Sequence, residues 1–227
     1  MVESTHDEPV IGVHAEVTRE VPAEIATVAV TVRARDRNRP EALLRLTQRA
    51  EAVRAMLDAH GEAIERRETA GVVVRPERKG SGERVSAYDA SVTTTVTVRD
   101  FSVLGDLMLR LADSDQVAVA GPWWALRPDS PVYRQARQAA VAEALSRARD
   151  YADALGARVV ALISLSDSGM ATYHSDAGRA EMRLTLAGSA GGYATPPLDL
   201  DPAVQRVQVG VEARFRISEP GGLDHGD

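Results

Sequence analysis

The chain has 227 residues, 44% hydrophobic and 26% charged, with a formal net charge of −6. That balance excludes the basic face with which nucleic-acid binders neutralise phosphate, so no nucleic-acid partner is expected. The absence of cysteine excludes disulfides, thiolate metal sites, a cysteine nucleophile and thiol redox chemistry.

Aromatic residues make up only 4%, so Val, Leu, Ile and Ala must fill the core. The opening MVESTHDEPV is polar and acidic. It lacks the basic start and the apolar segment of roughly 7–15 residues that mark a secretory signal, so a cytoplasmic location is expected. The longest apolar run, residues 159–163, falls far below the roughly 20 residues that span a bilayer, and no membrane insertion is expected.

Residues 1–9 read as a flexible N-terminus. Ile11, Val13, Ala15 and Val17 alternate with polar residues as a first strand, and Ala26, Val28, Val30, Val32 and Ala34 as a second. Leu43, Leu46, Ala50, Val53 and Leu57 then fall at helical spacing, with Pro40 suited to the first turn and Gly61 past the end. Two strands follow, over about 64–77 and 84–99, joined by the glycine-containing turn KGSGE (79–83). Tyr88, Ala90, Val92, Val96 and Val98 share one face of the second of these. A short helix from about 102 to 113 presents Leu104, Leu107, Met108 and Leu111, and 117–127 returns to a strand. The order from 22 to 127 is β-α-β-β-α-β, the split ferredoxin-like arrangement.

Asp129-Ser130-Pro131 supplies the start of a long helix that Gly156 closes in a left-handed position. Val159, Ala161, Ile163 and Leu165 alternate as a strand. Residues 166–202 are rich in Gly, Ser, Ala and Pro and read as a long loop. The last strand alternates Val207, Val209, Val211, Ala213, Phe215 and Ile217 with polar residues, and 219–227 reads as a flexible tail. The expected fold is α+β: an antiparallel-rich sheet with a ferredoxin-like βαββαβ portion, a long alanine-rich helix and two further strands, in a single domain over 10–218. The polar faces of the first, second and last strands would meet water or another subunit.

Within the long helix, Ala136, Ala140, Ala144, Ala148 and Ala152 recur at a spacing of four, one above another. Such a row makes a shallow groove that lets another backbone approach. It packs on the sheet, the favoured reading, or meets a second subunit, which makes Ala140, Ala144 and Ala148 candidate interface residues. Val141, Leu145 and Leu155 add bulk along its flank, and Glu143 precedes Arg147 by four, the favourable order for a surface pair. Trp123 and Trp124 must point to opposite faces of their strand, so one can join the core while the other anchors a subunit or ligand. Both are candidate interface residues.

Chemistry-bearing residues are sparse. The five histidines lack metal-ligand spacing, and no metal or cofactor is expected. In the long loop Tyr173, His174 and Asp176 form a candidate site near Asp167 and Ser168, although triads are set by geometry rather than by adjacency.

The string ARQAAVAEALSRARDYADALGARV resembles the signature helix of the SIMPL-domain family, in which an alanine-rich charged run ending in Leu-Gly precedes a strand. Tyr88-Asp89-Ala90-Ser91, the Leu-Gly pair between Phe101 and Met108, and the closing TPPLDLDPAVQRVQVGVEARFRI fit the same family in order. The resemblance covers roughly residues 10–217. It implies a protein without established catalytic residues. Bacterial relatives are typically exported to the cell envelope, some linked to oxidative-stress defence and some known as immunogens, and a mammalian relative is a signalling adaptor. His14-Ala15-Glu16 stands where glycines often occur in that family, and the N-terminus carries no export signal. The leading expectation is a non-enzymatic protein acting as a homo-oligomer or through a protein partner, with a link to stress defence. The alternative is a small-molecule binder or an unrecognised enzyme that uses the 166–202 loop as a lid.

Overall fold

The computed structural model describes residues 8–78, 85–174 and 198–221, with the side chains of 171–174 left aside. The KGSGE turn, Ser175 and Asp176 lie outside the described residues. The chain divides into two compact units. One takes in Ala23–Arg127 together with the segment that ends at Ala203, and the other is assembled from the segments on either side. The expected domain 10–218 is thus built as two units, and its strands fall into two sheets rather than one. Three strands are paired along both edges, one in the three-stranded sheet and two in the four-stranded sheet.

The central unit carries β2 (Ile25–Asp36), α1 (Arg39–Asp58), β3 (Ile64–Arg78), β4 (Val85–Val98), α2 (Leu104–Ala112) and β5 (Val117–Ala125). Its antiparallel sheet has the order β3-β4-β2-β5, the strand order of a ferredoxin-like βαββαβ unit. The alternation in β2 places Ala26, Val28, Val30, Val32 and Ala34 in the core with Leu46, Val53 and Leu57 of α1 and Leu104, Leu107 and Leu111 of α2. Each such buried Leu or Val stabilises by about 1.5–3 kcal/mol. The expected face of α1 buries Leu46, Val53 and Leu57, but at its start Ala42 is buried in place of Leu43, which is exposed. On the other face of the sheet, Thr31 and Thr93 join across the β2–β4 pair, Oγ1 to Oγ1 at 3.0 Å.

Asp100 caps the turn before α2, accepting from the Ser102 hydroxyl at 2.6 Å and the Ser102 N–H at 3.0 Å. These two hydrogen bonds, the hydroxyl first, hold its carboxyl below the usual carboxylate range. Gly105 allows a close approach, since a Cβ there would overlap the Leu198 carbonyl oxygen.

The second unit carries β1 (Val10–Val21), α3 (Pro131–Ala154), β6 (Val159–His174) and β7 (Gln205–Ile217). Its antiparallel sheet has the order β1-β7-β6, so the last strand of the chain lies in the middle. Ser130 caps α3 by accepting from Val132 N–H at 3.3 Å, and Pro131 fills the first turn. At the other end Gly156 has φ +65°. Its N–H donates to Asp153 O, and Ala157 N–H to Ala152 O, which together make a Schellman motif.

The alanine row of α3 is fully buried: Ala136, Ala140, Ala144, Ala148 and Ala152 show no exposed surface. They pack on β1 and β7, where Val13, Ala15, Val207, Val209, Val211 and Phe215 face them. Small side chains bring helix and sheet close, and Arg147 adds a bond across the gap, Nη1 to His14 O at 2.9 Å. Arg147 also pairs with Glu143 at 2.7 Å, four residues earlier.

Candidate functional site: an uncovered apolar edge strand

Because α3 sits over β1 and β7, it barely meets β6. Among the described residues β6 has a strand partner on one side only, so its other edge presents backbone N–H and C=O groups without a ladder. The strand is also longer than its sequence suggests. Its first half was expected to end at Leu165, yet pairing with β7 runs on to His174 opposite Gln205. Asp167-Ser168-Gly169 reads as a turn signal in sequence; here Gly169, at φ +104°, forms a bulge and the ladder resumes.

Two further bulges, between Val159 and Ala161 and between Leu162 and Ser164, change the expected alternation. The residues opposite the buried positions of β7 are Val159, Leu162 and Leu165, facing Ile217, Phe215 and Ala213. Ala161 and Ile163, expected on the same face as Val159 and Leu165, are not in that set. Each bulge inserts one unpaired residue, and every residue beyond it changes face relative to strict alternation.

A groove of about 310 Å³ follows from this arrangement. Val141, Ala144 and Leu145 of α3 form one wall and Val159, Val160, Ala161, Leu162 and Leu165 of β6 the other, with Phe215 between them. Every lining side chain is apolar. Beside it Val160, Leu162, Ile163 and Leu165 are each about half exposed, at 51%, 55%, 53% and 46%. From Val159 to Ser166 the strand has no charged residue and no proline. Such a strand is able to bind another strand or an apolar surface. Among the described residues no nucleophile–base pair lines this groove.

The residues singled out in sequence are dispersed. Ala140, Ala144 and Ala148 have no accessible surface, so the helix–helix contact through them gives way to packing on the sheet. Of the alanine row only Ala144 borders the groove, between Val141 and Leu145 on the flank. Trp124 stacks edge-on against Phe101, with ring centroids 4.8 Å apart, whereas Trp123 is 48% exposed on β5. Beside them Gly121, φ +115° and followed by a cis peptide to Pro122, leaves no space for a Cβ near Thr27 O. Tyr173 and His174 belong to the end of β6, paired in register with Arg206 and Gln205, and Asp176 lies outside the described residues. Among the described residues no three His, Asp or Glu side chains converge as metal ligands, and no helix is long and apolar enough to cross a membrane. Sequence reasoning passed over Val160 and Leu162, although the uncharged run that contains them was visible.

No curated protein matches the chain. The family model described as SIMPL, protein of unknown function (DUF541), matches residues 11–215, which takes in both sheets and all three helices. The chain belongs to the SIMPL family.

Proposed function

We propose that this SIMPL protein is a non-enzymatic assembly protein whose uncovered β6 and neighbouring groove bind a second copy of the chain. The observation that carries the reading is the half-exposed set Val160, Leu162, Ile163 and Leu165 on a strand that, among the described residues, is paired along one edge only. Apolar surface removed from water contributes about 25 cal/mol per Å², and an edge of this length and composition is one that proteins ordinarily cover or charge. A second copy suits it because the uncharged stretch meets its own like without repulsion. A link to stress defence would then act through the assembled form.

The test is solution mass by light scattering across micromolar concentrations. Wild type should form a defined oligomer, and Leu162→Lys with Leu165→Lys should dissociate it while the melting temperature holds. A strict monomer at every concentration would overturn the reading.

A further inference from the structure

We infer that two copies join by antiparallel pairing of β6 with β6, about a two-fold axis normal to the sheet and midway between the two copies of Leu162. The inference rests on the self-association reading and names the contact. Among the described residues the three-stranded sheet has two outer strands, β1 and β6, and three pairings are available to them. A β6–β1 contact would be head-to-tail, leaving a free edge at each end and propagating into a filament or ring. A β1–β1 contact would bring together strands that carry Glu16, Arg19 and Glu20, the last already paired with Arg206 at 2.6 Å. Only β6–β6 joins two uncharged edges and closes at two copies, giving a continuous six-stranded sheet.

The bulges determine the register. A two-fold normal to the sheet keeps each residue on its own face, so opposed residues must share a face in the single copy. Val159, Leu162 and Leu165 share the α3 face. Centring the axis on Leu162 sets Leu162 against its own counterpart and Val159 against Leu165 of the second copy, so apolar residues meet on that face. By position along the strand, Ala161 comes opposite Ile163 and Val160 opposite Ser164, with no charged residue among them. At the ends of the uncharged stretch, Arg158 of one copy comes one position from Asp167 of the other, which is a complementary pair at each end. Both α3 helices then lie on one side of the joined sheet, and each groove is bordered by the second copy's β6.

The chain has no cysteine, so introduced ones report without background. Directly opposed residues in an antiparallel pair have Cα atoms about 4.5–5.5 Å apart, within the roughly 4.4–6.8 Å that a disulfide spans. Each step away from the axis separates the two equivalent residues by about 6–7 Å more along the strand. Under mild oxidation of the full chain, Leu162→Cys should therefore cross-link to itself. Val160→Cys and Ser164→Cys, two positions from the axis on either side, should each stay uncross-linked alone and cross-link when mixed. The mixture should exceed either variant alone by about tenfold or more. Ser164→Cys and Val160→Cys alter size little, so matching melting curves confirm the fold. Wild type that oligomerises in light scattering without any of these cross-links, or that cross-links through Leu162→Cys with Glu16→Cys, would overturn the strand pairing and leave self-association standing. A monomeric wild type would overturn both.

Discussion

Two long outer strands of this protein carry the same burden in opposite ways. β3 is 15 residues long and exposed along nearly its whole length, and β6, with 16, is mostly exposed from Val159 to Met170. Yet β3 bears Glu65, Arg66, Arg67 and Glu68 at one end and Arg75, Pro76, Glu77 and Arg78 at the other. Several of these are paired off the strand, Arg67 with Asp58 and Glu65 with Arg127, both at 2.6 Å. Charge and proline at an edge make a new ladder costly, because an incoming strand must desolvate the charges and lose a donor at the proline. Val72 and Val73 are exposed in β3 too, but this short apolar stretch is bounded by Gly71 and by that charge. β6 has no such defence from Val159 to Ser166. One chain thus supplies both the protected edge and the open one, and the contrast singles out β6 more firmly than exposure alone.

That contrast can be broken directly. Leu162→Lys with Leu165→Lys should weaken assembly by about 100-fold or more, from two lost apolar contacts of about 1.5–3 kcal/mol each. Val72→Lys on β3 should leave the oligomer's mass unchanged in the same light-scattering series, and an equal loss in both would erase the distinction between the edges. Ala144→Leu tests the surface next to the groove. With no space between α3 and the sheet, overpacking should cost on the order of 1–3 kcal/mol, seen as a lowered melting temperature; wild-type melting would mean that α3 can lift from β1 and β7. Gly156→Ala should cost about 1–2 kcal/mol in thermal unfolding, because φ +65° places a Cβ against the following carbonyl oxygen. A smaller effect belongs to the central unit, where Asp100 caps the turn before α2. Its carboxyl is lowered in the fold, so its contribution is present above the unfolded pKa and is lost as pH falls through the folded one. Asp100→Ala should therefore melt slightly below wild type at neutral pH, with the two curves converging in acid.

Much of this architecture was legible in the residues themselves. β2 alternates strictly from Ala26 to Ala34, α2 shows an unbroken apolar face from Leu104 to Leu111, and Gly156 ends α3 in the left-handed conformation that its position implied. Their common property is that local periodicity and turn chemistry agree with the tertiary packing. β6 is the opposite case. Its bulges move Leu162 onto the α3 face and its Asp-Ser-Gly mimics a turn, so alternation misassigned the first half and composition cut off the second. The open edge was hidden for another reason: nothing local to β6 or β7 says that the chain's last strand lies between its first and its sixth. The alanine row was recognisable as a packing surface, but which flank of the helix stays uncovered depends on that same strand order.

The central position of β7 has a consequence for how the chain folds as it is made. Ile25 to Ala125 holds a complete set of strands and helices for the ferredoxin-like sheet, and most of its core can close once that segment has left the ribosome. β1 emerges earlier still, but its ladder partner β7 is made only after that whole unit, α3 and β6, with Val10 pairing to Arg216. Until β7 arrives, β1 and the inner edge of β6 lack their ladder partner, and the alanine face of α3 has only one of the two strands it packs on. β1 must therefore wait until the chain has been made through β7, and that interval is when this chain depends most on being kept apart from its neighbours.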